Sequence, residues 1–179
     1  MTRGYALMRW SEADREWQPL GDGVAAVQIA AAPDGSLWAS TEAYALWRYA
    51  DGKWANVLGL AREVSVGSDG QVWILTMDPG PGGFELYAAP PGGRFRRVQP
   101  LGMGVHLAAA GTQEARVNLP GGRMGLYANG EFHEWPGKLT AMTANKNGEV
   151  WGLTAPAKGK ESDFVRWTGQ AWKVIGPVP

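Results

Sequence analysis

One pattern recurs along this chain and restricts what it can fold into. Residues 64–73 read VSVGSDGQVW, and VQIAAAPDGSLW (27–38) and LTAMTANKNGEVW (139–151) follow the same plan. A degenerate copy, VHLAAAGTQEARV (105–117), carries Arg116 where the others place Trp. Each copy is an alternating run, a polar turn and a second apolar run. The pairs Asp34-Gly35, Asp69-Gly70 and Asn147-Gly148 predict tight hairpins with positive φ at both turn residues.

A second unit follows each of these: LWRYADGKWANVLG (46–59), LYAAPPGGRFRRVQPLG (86–102), LYANGEFHEWPG (126–137) and FVRWTGQAWKVIG (164–176). A fifth copy, LMRWSEADREWQPLG (7–21), comes before any copy of the first unit. Each pairs a short strand with one carrying an aromatic (Trp17, Trp54, Phe95, Phe132 or Trp172) and closes on glycine. Two hairpins, hence four strands, recur every ~35 to 43 residues, which is the signature of a propeller blade. The small residues of the first strand (Ala30, Ser65, Ala108, Ala141) suit a crowded central channel. No stretch of about 11 residues holds a helical period. The expectation is an all-β chain: a small β-propeller of four-stranded antiparallel blades, about five, with one incomplete. It forms a single domain with units at 1–23 (the half blade), 24–61, 62–104, 105–138 and 139–179.

The unit V-S-V-G-x-D-G-x-V-W, followed by apolar-aromatic-Arg-aromatic, Gly-x-x-W and a closing Gly, resembles the tectonin repeat. The resemblance is closest over 24–76 and 139–176 and thinnest over 77–122. It implies a β-propeller with a binding role and no reaction, since that family includes glycan- or lipopolysaccharide-binding lectins and intracellular scaffold modules.

Five outer hairpins against four inner ones leave three arrangements open. The ring has a half blade, or the extra hairpin covers an edge of four full blades, or another chain supplies the missing strands. An uncovered edge strand invites pairing, so strand pairing with a partner chain is expected near the N-terminal hairpin.

Composition excludes several functions. Seventeen basic and 17 acidic residues balance, which argues against bulk binding to nucleic acid. Arg94, Arg96 and Arg97 read as a solvated sheet face. No apolar run is long enough for membrane insertion, and the first residues do not read as a signal peptide. With no cysteine, disulfides and thiolate sites are out. A cytoplasmic location, or a place in an assembled particle, is the expectation.

No motif for chemistry stands out. Residues 66–70, VGSDG, run into a strand, not into the helix that a phosphate loop requires. The Asp-Gly turns lack the spaced oxygen ligands of a calcium loop. His106 and His133 have no metal-ligand spacing, and His106, on an inner strand that could face the channel, reads as structural. Glu12, Asp14, Glu16, Glu131 and Glu134 fall in outer hairpins as solvated acids. No enzyme, cofactor or metal is expected.

The best repeated polar feature is an Arg between aromatics: Arg9, Arg48 beside Trp47 and Tyr49, and Arg166 beside Trp167. An Arg against a ring can hold a sugar or an acidic partner; packing along a blade edge with a nearby carboxylate is the competing explanation. The departures from the repeat at 77–83, 90–94 and 155–162 are the loops where a specific surface would sit. The first functional reading is a non-enzymatic module binding a glycan, a cell-surface polymer or a protein. The second is a structural component of a larger assembly such as a virion, tail or fibre.

Overall fold

In the computed structural model, residues 5–21, 23–98, 103–145, 147–156 and 161–178 are described. Among them the chain forms short strands and a single 3-10 turn at Pro120–Gly122, with no α-helix. First come β1 (Tyr5–Ala6), β2 (Met8–Ser11) and β3 (Glu16–Pro19). Blade 1 holds β4 (Ala25–Ala31), β5 (Leu37–Thr41), β6 (Ala45–Ala50) and β7 (Lys53–Leu60). Blade 2 holds β8 (Glu63–Val66), β9 (Val72–Gly80) and β10 (Gly83–Ala89), its outer edge split between β11 (Arg96–Arg97) and β12 (Met103–Gly104). Blade 3 holds β13 (His106–Ala109), β14 (Glu114–Asn118), β15 (Met124–Ala128) and β16 (Glu131–Trp135). Blade 4 holds β17 (Leu139–Ala144), β18 (Val150–Thr154), β19 (Asp163–Trp167) and β20 (Trp172–Pro177). Strands β2 and β3 form a hairpin of their own, and β1 adds to the free edge of β4.

The inner strands pack in series, β4 on β8, β8 on β13 and β13 on β17. Among the described residues no packing of that extent joins β17 back to β4. The period of two gives each blade two apolar faces. Trp73, Leu75 and Leu86 of blade 2 meet Leu107, Val117 and Tyr127 of blade 3 in one buried cluster. Leu46 of blade 1 meets Val64 and Ile74 of blade 2. Met124 and Trp135 of blade 3 meet Val165 of blade 4. Aromatic edges close the same seams, Trp38 to Phe95 at 6.1 Å and Trp73 to Tyr127 at 5.8 Å.

The N-terminal hairpin is placed by the same device as a full blade. Trp54 Nε1 donates to the Leu20 carbonyl at 2.9 Å, and Trp172 Nε1 donates to the Pro136 carbonyl at 2.7 Å. In both cases the next residue is a glycine at positive φ, Gly21 at 70° and Gly137 at 122°. At Gly137 an added Cβ would lie 2.6 Å from the indole nitrogen. Hairpin β2–β3 therefore sits on blade 1 as the outer hairpin of blade 3 sits on blade 4. It is the outer half of a blade, with Leu7 reaching into the blade 1 cluster of Val24, Ala26 and Ala39.

Two local expectations change. At Asp34-Gly35, Asp69-Gly70 and Asn147-Gly148 only the glycine has positive φ. The loops are longer than two residues, closed by backbone bonds from Ala32 to Ser36, Gly67 to Gln71 and Asn145 to Glu149. Positive φ at both residues occurs in the outer hairpins instead, at Asp51-Gly52 and Asn129-Gly130, where two residues join paired positions. The stretch 77–83 is mostly strand: β9 and β10 extend as a ladder as far as the pair Gly80 and Gly83. Arg116, in the position of the missing Trp, is buried. Its guanidinium lies 4.8 Å from the Trp135 ring centre and 3.3 Å from Glu114, and burial lowers its pKa.

Trp54→Phe and Trp172→Phe should each cost about 1 kcal/mol in urea unfolding, the value of one hydrogen bond. Gly137→Ala should cost more, about 2–3 kcal/mol, from overpacking and backbone strain together. Burial raises the Tyr127 pKa above its ordinary value. As pH climbs through and above about 10 the unfolded chain loses this proton first, so stability falls. A pH series of unfolding curves should show a shallower alkaline fall in Tyr127→Phe.

Candidate functional site

The four inner strands surround one cavity of about 760 Å³. Its walls are mostly small or apolar, because the converging strands leave little room for long side chains. Glu63 and His106 are the titratable side chains in its lining. Glu63 Oε1 lies 2.6 Å from His106 Nδ1, while Glu63 Oε2 accepts the Leu107 amide N–H at 2.6 Å. Glu63 is buried and the His106 side chain half exposed. With Nδ1 held by the carboxylate, Nε2 is the ring nitrogen that can serve solvent or a ligand.

Glu63 also belongs to a ladder between blades. Ser65 Oγ accepts from the Ala109 amide at 2.9 Å, and Asp69 Oδ2 from the Gln113 amide at 2.9 Å. The side chains of one inner strand and its turn thus satisfy the backbone of the next inner hairpin. Both Glu63 oxygens are engaged by blade 3. The pair can hold a polar ligand at the axis, but it is built as a structural clamp. His106 does face the channel. Its partner Glu63 was not singled out in the sequence, where the only signal was a carboxylate at the mouth of a small-residue strand.

The six sequence-selected residues do not form one site. Arg9 is exposed on β2. Trp47 packs towards the first hairpin with Ala39, and the Tyr49 ring meets Trp54 at 5.1 Å, tilted by 53°. Trp167 lies between Trp135 at 4.9 Å and Trp172 at 5.3 Å. Arg48 and Arg166 share one geometry in two blades. Each lies over its own blade's inner Trp, Arg48 5.9 Å from the Trp38 centroid and Arg166 5.7 Å from Trp151. Each also meets an acid of the inner loop, Asp34 at 3.2 Å and Glu149 at 3.7 Å. Of the three departures from the repeat, 77–83 borders a cavity of about 310 Å³ through Met77 and Asp78. Residues 90–93 make a turn closed by the Gly93 amide and the Pro90 carbonyl. In 155–162, residues 157–160 lie outside the described residues.

No family model matches this sequence, and no curated protein matches it. Solved structures do. TolB from Acinetobacter baumannii superposes with a TM-score of 0.70 at 14% identity, over 97% of this chain and 49% of that one. A gluconolactonase from Xanthomonas campestris gives 0.65 at 20% identity, over 98% and 69%. YCF48 bound to D1 peptide gives 0.56 at 14% identity, over 91% and 58%. The fold is a β-propeller. The chain spans about half the length of TolB and about 70% of the gluconolactonase, and at these identities the likeness is one of fold alone. The tectonin likeness stays a likeness of repeat pattern. Among the described residues no helix is long and apolar enough to cross a membrane.

Glu63→Gln should lower stability by about 1–3 kcal/mol, since it disturbs a buried acceptor of two bonds. His106→Ala should cost under about 1 kcal/mol, because its ring is half in water. Chemical denaturation of both variants checks the order. A larger loss in His106→Ala would count against the clamp.

Proposed function

We propose that this chain is a non-enzymatic protein-binding module, a structural part of a larger assembly. The observation that carries the reading is where its uncovered apolar side chains lie. Met8, Trp10 and Trp17 are exposed on the first hairpin, Tyr5, Val27, Ile29 and Leu60 on β1 and blade 1 behind it, and Phe164, Val174 and Ile175 on the last blade, with no large apolar residue of blades 2 and 3 exposed to this degree among the described residues. These are the two ends of the series of packed blades. A large apolar side chain left bare at an end is one that another surface can cover. The axial pair argues the same way from the other side, since both Glu63 oxygens already serve the scaffold. Among the superposed propellers, YCF48 was solved with a D1 peptide bound. PorZ from Porphyromonas gingivalis, described as a surface component of a secretion system, superposes with a TM-score of 0.60 at 13% identity, over 98% of this chain and 24% of that one.

A glycan-binding reading is favoured by one observation, the repeated stack of Arg48 on Trp38 and Arg166 on Trp151, each Arg partly exposed. It makes its own prediction: a glycan array should show binding competed by free sugar and lost in Arg48→Ala and Arg166→Ala. The protein-binding reading expects no sugar binding. It expects a photo-crosslinking residue at position 17 or 164, placed in the full chain in its own cells, to give discrete protein adducts. The same residue at position 53, on the exposed outer rim, should give none. Equal adducts at all three positions, or none at all, would sink it.

A further inference from the structure

One seam of the series is left open, and its walls carry residues whose counterparts are buried at the seams of blade 1 with blade 2 and of blade 2 with blade 3. Register aligns the blades. Ala30 opposes Trp38 and Trp38 opposes Arg48 in blade 1. Ser65, Trp73 and Ala88 do so in blade 2, and Thr143, Trp151 and Arg166 in blade 4. Ile29 of blade 1 therefore corresponds to Val64 of blade 2 and, by the matching pair Ala108 and Arg116, to Leu107 of blade 3. Val64 and Leu107 are each 7% exposed beneath the preceding blade, whereas Ile29 is 59% exposed. On the opposite wall, Phe164 corresponds to Leu46 and Leu86. Those two are wholly buried, and Phe164 is 41% exposed.

The backbone repeats the message. The strand opening the outer hairpin is paired on both sides in all four blades: β6 with β5, β10 with β9, β15 with β14, β19 with β18. Its counterpart β2 is paired, among the described residues, with β3 alone. Register makes Trp10 and Trp17 the equivalents of Tyr49 and Trp54, so β2 stands where β6 stands and lacks the partner that β5 provides.

We propose that this gap receives an inner-type β-hairpin from another polypeptide, by strand addition to β2. The inference deepens the protein-binding reading, and rests on it, by naming the element that the partner inserts. The occupant is not a second copy of this chain, whose four inner hairpins are already paired inside their own sheets. Its chemistry follows from the seam between blades 2 and 3. The incoming second strand needs a Trp followed two residues later by an aliphatic, as Trp73 and Leu75 cover Leu107. Its first strand needs acceptors at alternate positions for the backbone beside Ile29, as Glu63 and Ser65 serve Leu107 and Ala109. Edge pairing supplies affinity and the alternate side chains supply selectivity.

The probe is a synthetic peptide with the sequence of residues 62–76, REVSVGSDGQVWILT, titrated into the full chain. Saturable one-to-one binding with a rise in Tm is expected. Ile29→Lys, which leaves an exposed site intact in fold, should weaken binding at least tenfold, and so should Met8→Pro: the bond from the Leu20 amide to the Leu7 carbonyl sets the alternation that turns the Met8 N–H away from β3 and out to the open β2 edge. A peptide that pairs poorly on its own is covered by a second arm. The same fifteen residues, tethered after Pro179 by a flexible linker, should raise Tm and protect the β2 amides from hydrogen exchange. No binding and no tethered protection would overturn the proposal. So would equal binding by Ile29→Lys, or self-association of the chain that the peptide does not displace. Failure of both arms with crosslinks still present at positions 17 and 164 would remove the hairpin and leave the protein-binding reading. Loss of the crosslinks would remove that reading itself.

Discussion

Burial between neighbouring blades is the constraint from which the rest of this molecule follows. A four-stranded antiparallel sheet of this size has two apolar faces and cannot hide either alone. Each blade is finished by the next: Trp73 disappears only because Leu107, Val117 and Tyr127 stand against it. The indole bonds of Trp54 and Trp172 fix the angle at which one outer hairpin meets the next. A series built in this way has no natural end. Its terminal faces carry the same side chains as its seams, which is why the exposed aromatics collect at the first hairpin and the last blade.

The polar interactions are arranged around that same requirement. Glu63, Ser65 and Asp69 give their oxygens to the amides of Leu107, Ala109 and Gln113. Asn118 does the same service one seam later, its amide donating to the Leu139 carbonyl. Arg116 shows how the design tolerates a lapse. A cation replaces the seam Trp and is accepted because Glu114 and the Trp135 ring accompany it, as a buried charge requires.

Much of this was legible in the chain. Alternation with period two and the recurring Trp and closing Gly located hairpins, because hairpins are local and their chemistry lies within a dozen residues. The Asp-Gly pairs marked turns but not their geometry. Asp51-Gly52 and Asp34-Gly35 are the same dipeptide in loops of different length, and the length is set by how Ala50 meets Lys53 and Ala31 meets Leu37 across the ladder. Glu63 was silent because its partners lie 43 and 44 residues away, and no short-range pattern reports a contact at that distance. Arg48 and Arg166 were visible as a repeat, but not that each would find an acid from its own blade's inner loop. The unequal number of inner and outer hairpins could be counted in the sequence. The docking of the odd hairpin on blade 1 as a true half blade could not.

The side-chain ladder between β8 and β13 also bears on how the molecule opens. Three side chains tie blade 2 to the backbone of blade 3, so these two sheets cannot separate without breaking all three bonds together and uncovering the apolar seam beside them. The first hairpin, by contrast, meets blade 1 through Leu7, the Leu20 carbonyl and the ring of Trp54. Opening events should therefore be graded along the series, with the hairpin detaching in small excursions and the central pair of blades surviving as a cooperative unit. The segment with the open strand edge is the one the rest of the molecule holds least firmly.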